Sequence, residues 1–270
     1  MNQTLRPSAN RSGAAPALEH ASPVPPAGPV LHFAGSELVY PDGTVALQGV
    51  DLTVRAGEFV SVVGPSGCGK SSLLRIASGL ESATGGQAAV QTDRIGYVFQ
   101  EATLLPWRTV RDNVALFAEL DGVRKSERHR RADTALDLVG LTGFAQHLPH
   151  TLSGGMRMRV SLARSLTVEP ELFLFDEPFG ALDEITRERL GDEITGLFAE
   201  RRFAGLFVTH SVSEAVYLST RVVVMSGRPG RIVEEVDIPF GFPRVPDIRY
   251  TPEFTALVGR VSHALRGTHR

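Results

Sequence analysis

Residues 64–71 read Gly-Pro-Ser-Gly-Cys-Gly-Lys-Ser, and no other segment restricts the possible folds as strongly. The apolar run Phe59-Val60-Ser61-Val62-Val63 leads into it, and Ser72-Leu73-Leu74-Arg75-Ile76 continues with the character of a helix. Gly64, Gly67 and Gly69 let the backbone curl until successive N–H groups face an anion, and the following helix adds the positive end of its dipole. Lys70 can then bridge β- and γ-phosphates, and the Ser71 hydroxyl can ligate Mg²⁺. A chance glycine turn would have to match the whole pattern and both flanking elements. Gly64, Pro65, Ser66, Gly67, Cys68, Gly69, Lys70, Ser71 and the adjoining Ser72 are therefore expected to hold a nucleotide.

A second apolar run, Leu172-Phe173-Leu174-Phe175, ends in Asp176-Glu177-Pro178. Ligands of open α/β sheets sit beyond the carboxyl ends of the strands, so both carboxylates are delivered where a P-loop ligand would lie. Asp176 is expected to hold Mg²⁺ and Glu177 to polarise the water that attacks the γ-phosphate. An acidic pair at a strand end often does no more than cap the next helix; here it has a phosphate loop to serve.

Leu152-Ser153-Gly154-Gly155-Met156 precedes the helical stretch from Arg157 to Leu166. Ser153 is placed as an N-cap, and the small Gly154 and Gly155 would expose the first N–H groups of a helix as another anion site. At this point the chain resembles the ATP-binding cassette (ABC) ATPases, whose signature loop is Leu-Ser-Gly-Gly-Gln. The resemblance covers residues 35 to 236 and includes Gln100 after Ile95-Gly96-Tyr97-Val98-Phe99, the loop Ala181-Leu182-Asp183, and His210 after Leu206-Phe207-Val208-Thr209. Order and spacing both fit.

The resemblance implies an α/β fold: a P-loop cassette with a RecA-like mixed-sheet core, an antiparallel β subdomain and an α-helical subdomain at about 101–165. It also implies a head-to-tail dimer of two copies with two ATP molecules held between P-loop and signature loop, since in this family the two lie on separate lobes. Gln100 would touch Mg²⁺ or the attacking water, His210 the γ-phosphate, Asp183 would bind the nucleotide, and Tyr40 would stack on adenine. A strand-end tyrosine before a turn and a strand-end histidine near a cap are the plainer alternatives for Tyr40 and His210. Met156 and Met158 replace two glutamines common in the family, so the polar contacts near the ribose are in doubt while the Ser-Gly-Gly donors remain.

The importers of nitrate, sulfonate, taurine and bicarbonate are resembled by Phe99 to Trp107 and by Ser226-Gly227-Arg228-Pro229-Gly230-Arg231-Ile232. That implies an ATP-hydrolysing subunit, peripheral on the cytoplasmic face of a bacterial membrane, serving a separate permease and, indirectly, an external solute-binding protein. Leu105, Pro106 and Trp107 would meet a coupling helix of the permease, or Trp107 would plug the joint between the lobes. Soluble ABC ATPases and ATP-driven dimer switches are the alternatives. The former usually carry a long coiled-coil insertion or a second cassette, and the latter are disfavoured by intact Glu177 and His210.

Composition supports this frame and excludes others. With 28 basic and 30 acidic side chains and a net charge of -2 there is no electrostatic case for nucleic acid. The apolar stretches fall short of the ~18–20 residues that span a bilayer. The single cysteine, Cys68, rules out an internal disulfide and is expected to pack, although alkylation there would block ATP. Residues 1–30, rich in Pro and Ala, are expected to form a disordered extension, with residues 31–236 as the cassette and 237–270 as a tail.

Turn and cap chemistry fills in the rest. Pro41-Asp42-Gly43 and Ala56-Gly57-Glu58 read as turns between strands, Thr109 with Asp112 and Ser211 with Glu214 as caps, and Asp121-Gly122 as a hinge. Arg124 to Arg131 reads as a solvated helix face. Thr251-Pro252 should start a tail helix with an apolar stripe of Phe254, Leu257, Val258, Val261 and Leu265, closed by Gly267.

Overall fold

The computed structural model describes residues 28–180 and 182–268. The expected extension lies outside the described residues up to position 27, as does Ala181. The first strand, β1 (Pro29–Val39), takes in the last two positions assigned to that extension. It pairs antiparallel with β2 (Val45–Arg55) across the Pro41-Asp42-Gly43 turn. Asp42 Oδ1 accepts from the Thr44 N–H at 2.9 Å, and Gly43 sits at φ +83°, a left-handed position that costs glycine little. With β4 (Gly85–Val90) on the other side of β1, the order of this small sheet is β2-β1-β4.

The larger sheet is built around β3 (Phe59–Val63), all of whose residues are buried. Its neighbours are β5 (Ile95–Val98), β6 (Leu172–Asp176), β7 (Ala204–Val208), β8 (Arg221–Met225) and β9 (Ile232–Asp237), in the order β5-β6-β7-β3-β8-β9. Every pairing is parallel except β8 with β9. Unbroken apolar runs such as Phe59–Val63 and Leu172–Phe175 suit this arrangement, because parallel strands are covered on both faces.

Alternation along each strand divides the core. Phe59, Phe173, Phe175 and Phe207 point to one face, and Val60, Val62, Leu172 and Leu174 to the other. On the second face pack the small sheet and α1 (Lys70–Ala77), through Leu31, Phe33, Leu73 and Leu74. The phenylalanine face meets α6 (Glu184–Arg201), α7 (Val212–Leu218) and α8 (Pro252–Gly267). Phe59 lies edge-on to Phe198, with centroids 5.5 Å apart.

Between β5 and β6 the chain forms α2 (Val110–Val114), α3 (Leu116–Leu120), α4 (Lys125–Leu138) and α5 (Gly154–Leu166). Thr109 caps α2 by accepting from the Asp112 N–H, and Ser211 caps α7 by accepting from Glu214. In the tail, Phe254 and Val261 are buried, and Leu257, Val258 and Leu265 pack against the same core. Gly267 does not close α8 from outside; it is the helix's last residue, and the chain leaves through Thr268 in ordinary right-handed geometry. No described helix is long and apolar enough to cross a membrane.

Candidate functional site

The phosphate loop leaves β3 at Val63 and enters α1 at Lys70, and its glycines are there for separate reasons. Gly69 is at φ +102°, and a Cβ on it would stand 2.7 Å from Leu47 Cδ2 and 2.8 Å from the Ala46 carbonyl. A Cβ on Gly64 would come within 2.8 Å of Cys68 Sγ and 3.1 Å of Met225 Cβ. Contacts below 3.0 Å are steric clashes, so only glycine fits at either place. Cys68 is 1% exposed and burial raises its thiol pKa, so it packs as expected and resists the alkylation that would otherwise expose the loop chemically.

The ammonium of Lys70 is buried beneath the loop. Nζ donates to the Gly64 and Pro65 carbonyls at 3.0 and 3.1 Å and lies 3.9 Å from Glu177 Oε1. Ser71 Oγ donates to Asp176 Oδ1 at 2.9 Å. That contact joins the P-loop to the end of β6 and sets a hydroxyl beside a carboxylate, the oxygen donor set that Mg²⁺ prefers. Burial raises the Asp176 pKa and the neighbouring Glu177 adds to it, against the Ser71 hydrogen bond and the Lys70 charge. A desolvated carboxylate in need of positive charge fits a cation at this place.

Glu177 has φ +44°, an uncommon conformation for a residue with a side chain. Its N–H donates to the Val208 carbonyl at 2.9 Å, so β7 holds it there. Such a conformation costs on the order of 1–3 kcal/mol and marks a side chain aimed by its surroundings. The carboxylate stands between Lys70 and His210, whose Nδ1 is 3.4 Å from Glu177 Oε2. His210 itself is 58% exposed at the mouth of the site.

Gln100 makes no hydrogen bond to Ser71 or Asp176 among the described residues. Its amide lies beside the turn after Glu177, where a Cβ built on Gly180 would be 4.0 Å from Nε2. Tyr40 is half-buried, and its hydroxyl is 2.9 Å from Ser72 Oγ, which pins the ring over the start of α1.

The signature segment is well formed but stands apart. Ser153 Oγ accepts from the Met156 N–H at 3.2 Å, and no hydrogen bond or ion pair joins residues 153–155 to the P-loop among the described residues. Its two glycines differ. Gly154 is exposed, whereas Gly155 is buried, with a would-be Cβ 2.5 Å from Thr186 Cγ2 of α6. The second glycine lets two helices pass closely. Met158 is 5% exposed in the core beneath α5, and Met156 is half-buried against the same core. Asp183 caps α6 by accepting from the Thr186 N–H at 3.0 Å.

Four further contacts bear on the site and leave no local signal in the sequence. Arg228 Nε donates to the Gly67 carbonyl at 3.1 Å, and Gly230 packs so closely that its Cβ would fall 2.1 Å from the Cys68 carbonyl, so residues 226–231 brace the P-loop from outside. The Tyr97 phenol lies beside Asp176, and burial together with that carboxylate raises its pKa. Arg164 of α5, 5% exposed, donates to the Thr103 and Ala102 carbonyls at 3.0 and 3.1 Å and ties the signature helix to the chain just past Gln100. Trp107 is 74% exposed and therefore plugs no joint.

A family model described as ABC transporter matches residues 47–180. A putative ATP-binding protein of Brucella abortus is 44% identical over 83% of this chain and 88% of its own. The aliphatic sulfonates import ATP-binding protein of Bacillus licheniformis is 41% identical over 81% of this chain and 86% of its own. The nitrate import ATP-binding protein of Synechocystis is 42% identical over 83% and 89%. Among solved structures, a dimeric post-hydrolysis ATP-binding cassette bound to ADP and Pi superimposes with a TM-score of 0.70 at 32% identity, covering 78% of this chain and all of that one. Phosphate loop, paired carboxylates and signature helix, set on this sheet and matched at this level over most of the chain, make the protein a member of the ABC transporter ATP-binding family, the P-loop ATPases that hydrolyse ATP.

Proposed function

We propose that two copies of this chain form an ATP sandwich that energises import of a small solute, a nitrate-, sulfonate- or taurine-like anion or a related small molecule, through a separate membrane permease. The observation that carries the reading is the convergence of Lys70, Ser71, Asp176, Glu177 and His210 on one sheet edge, while Ser153 and Gly154, capped elsewhere, make no hydrogen bond or ion pair to that edge among the described residues. The site needs a second anion-binding helix start, and a second copy supplies one. The relatives named for nitrate and sulfonate import support the transport setting.

In this reading the loop N–H groups and Lys70 hold the phosphates, and Ser71 with Asp176 holds Mg²⁺, which when bound neutralises charge on the β- and γ-phosphates. Glu177 orients and polarises the attacking water, and His210, within reach of its carboxylate, faces the γ-phosphate. Gln100 would touch Mg²⁺ or the attacking water, and Leu105, Pro106 and the exposed Trp107 would meet a coupling helix of the permease, with the protein peripheral on the cytoplasmic face of the membrane. An external binding protein takes part through the permease. The Ser153 N–H side and Asp183 of the opposite copy close over the nucleotide, and Tyr40 lies under the adenine.

Isolation of the Glu177→Gln protein from native membranes with ATP and Mg²⁺, followed by gentle crosslinking and mass spectrometry, tests the proposal. A polytopic membrane protein is the expected partner. Recovery of only soluble or nucleic-acid-associated proteins would overturn the transport reading and leave the ATPase chemistry standing.

A further inference from the structure

On the sheet edge opposite the P-loop, the structure contains a cavity of about 670 Å³. Its floor is formed where the chain enters β5, β6 and β7, at Arg94, Pro170, Glu171 and Phe203, and its roof by α4 and the end of α5. Five guanidinium groups, from Arg94, Arg130, Arg131, Arg201 and Arg202, line it against two carboxylates, Glu169 and Glu171. Glu171 is engaged by Arg94. Arg130 and Arg131 share the single carboxylate of Glu127, at 2.7 and 2.9 Å. Arg201 and Arg202 have no acidic partner among the described residues, and Arg202 lies 5.8 Å over the Phe198 ring. Positive charge therefore exceeds negative within a concave space whose wall also carries Leu138, Leu166 and Phe203.

Two wall residues hold conformations that glycine would adopt at no cost. Arg202, at φ +50°, is the residue that closes α6, and Glu169, at φ +47°, lies three residues past the end of α5. Glycine is the usual residue there, and this chain instead places charged side chains that line the cavity.

From these observations we propose that the cavity binds a small organic polyanion, a phosphorylated metabolite whose phosphates are taken by Arg131 of α4 and Arg201 at the end of α6 and whose carbon skeleton rests on the apolar wall. Guanidinium groups match phosphate oxygens in bidentate geometry, and a volume of this size suits such a ligand. The site joins the helical layer to the sheet. α5 runs directly from the Ser153 cap to this wall, so occupancy here bears on the signature helix from its far end.

The test is calorimetric titration of fructose 1,6-bisphosphate into the full chain saturated with ADP, so that the P-loop is already filled. Saturable binding is expected, weakened about tenfold or more when Arg131→Ala and Arg201→Ala are combined, since each removes a charge-assisted contact. Arg201→Lys, which keeps the charge but loses the bidentate fork, should weaken binding less than Arg201→Ala does. Both arginines are exposed, so the substitutions leave the fold intact, and unchanged ADP affinity confirms this. Absence of saturable binding by the wild-type chain would overturn the proposal. So would binding undiminished in the double variant, which would place the anion elsewhere. Neither result depends on whether the protein serves an importer.

Discussion

The P-loop and the signature segment, the two loops whose sequences read as anion sites, are finished to different degrees. The P-loop is built into the sheet from every side: Lys70 is held by two loop carbonyls, Ser71 by Asp176, and Gly67 by Arg228. The signature segment has its cap, with Ser153 closing α5, but residues 153–155 make no side-chain hydrogen bond or ion pair to any other element among the described residues. The first is a complete half-site and the second is a half-site offered outward. If, as proposed, a second copy completes the site, catalytic competence belongs to a pair of chains, and substitutions in the two regions should fail in different ways.

The largest effect is expected at Glu177. Replacement by Gln keeps the shape and removes the base, so steady-state ATP hydrolysis should fall by about 10²–10⁴-fold while ATP still binds. Unchanged turnover would remove Glu177 from its role. Next comes Lys70→Ala, which deletes a charge-assisted contact to the phosphates and should weaken ATP binding by about tenfold or more in a fluorescence titration. Equal affinity would show that the loop N–H groups suffice.

The third test divides the signature glycines. Gly155→Ala drives a methyl into Thr186 and should destabilise the fold by roughly 1–3 kcal/mol, with Thr186→Ser restoring part of the loss. Gly154→Ala, whose methyl meets nothing nearer than 3.9 Å, should leave the melting temperature almost unmoved and lower only ATP-dependent pairing. Equal denaturation midpoints for the two variants would show that the helices pass less tightly than the geometry indicates.

How much of this could be read from the sequence depends on how local the cause is. The P-loop, the Asp176-Glu177 strand end and the caps at Thr109, Ser153 and Ser211 are each written within a few adjacent residues, and the structure forms them. Arg228 under Gly67 spans 161 residues of chain and leaves no local trace. The same holds for Arg164 beneath the Gln100 segment and for Tyr97 beside Asp176. Gly155 shows a subtler limit: a glycine pair reads as an anion loop, and only the approach of α6 reveals that one of the two also serves packing. Gly267 was expected as a cap because glycine often ends helices, yet α8 already ends on it and Thr268 carries the chain onward.

The smallest effect concerns Asp176. Its native pKa lies above the ordinary 3.8, so the native state holds the proton where the unfolded chain has lost it. Its contribution favours the native state below the ordinary value and is lost as pH rises through the native value, which makes the charged form a cost at neutral pH. Asp176→Asn should therefore melt slightly higher than the wild-type chain at pH 7 without nucleotide, with the difference shrinking as pH falls below the carboxylate range. The same variant should bind ATP with Mg²⁺ more weakly. A lower melting temperature at pH 7 would show that the Ser71 contact outweighs the desolvation.

Division of the site between two chains is tested most directly by sedimentation of the Glu177→Gln protein with Mg²⁺ and either ATP or ADP. With ATP the protein should sediment as a dimer, with ADP as a monomer, and Ser153→Ala combined with Gly154→Ala should shift the ATP sample toward monomer. A Glu177→Gln protein that stays monomeric at saturating ATP would contradict the shared site and leave each chain to hydrolyse ATP alone.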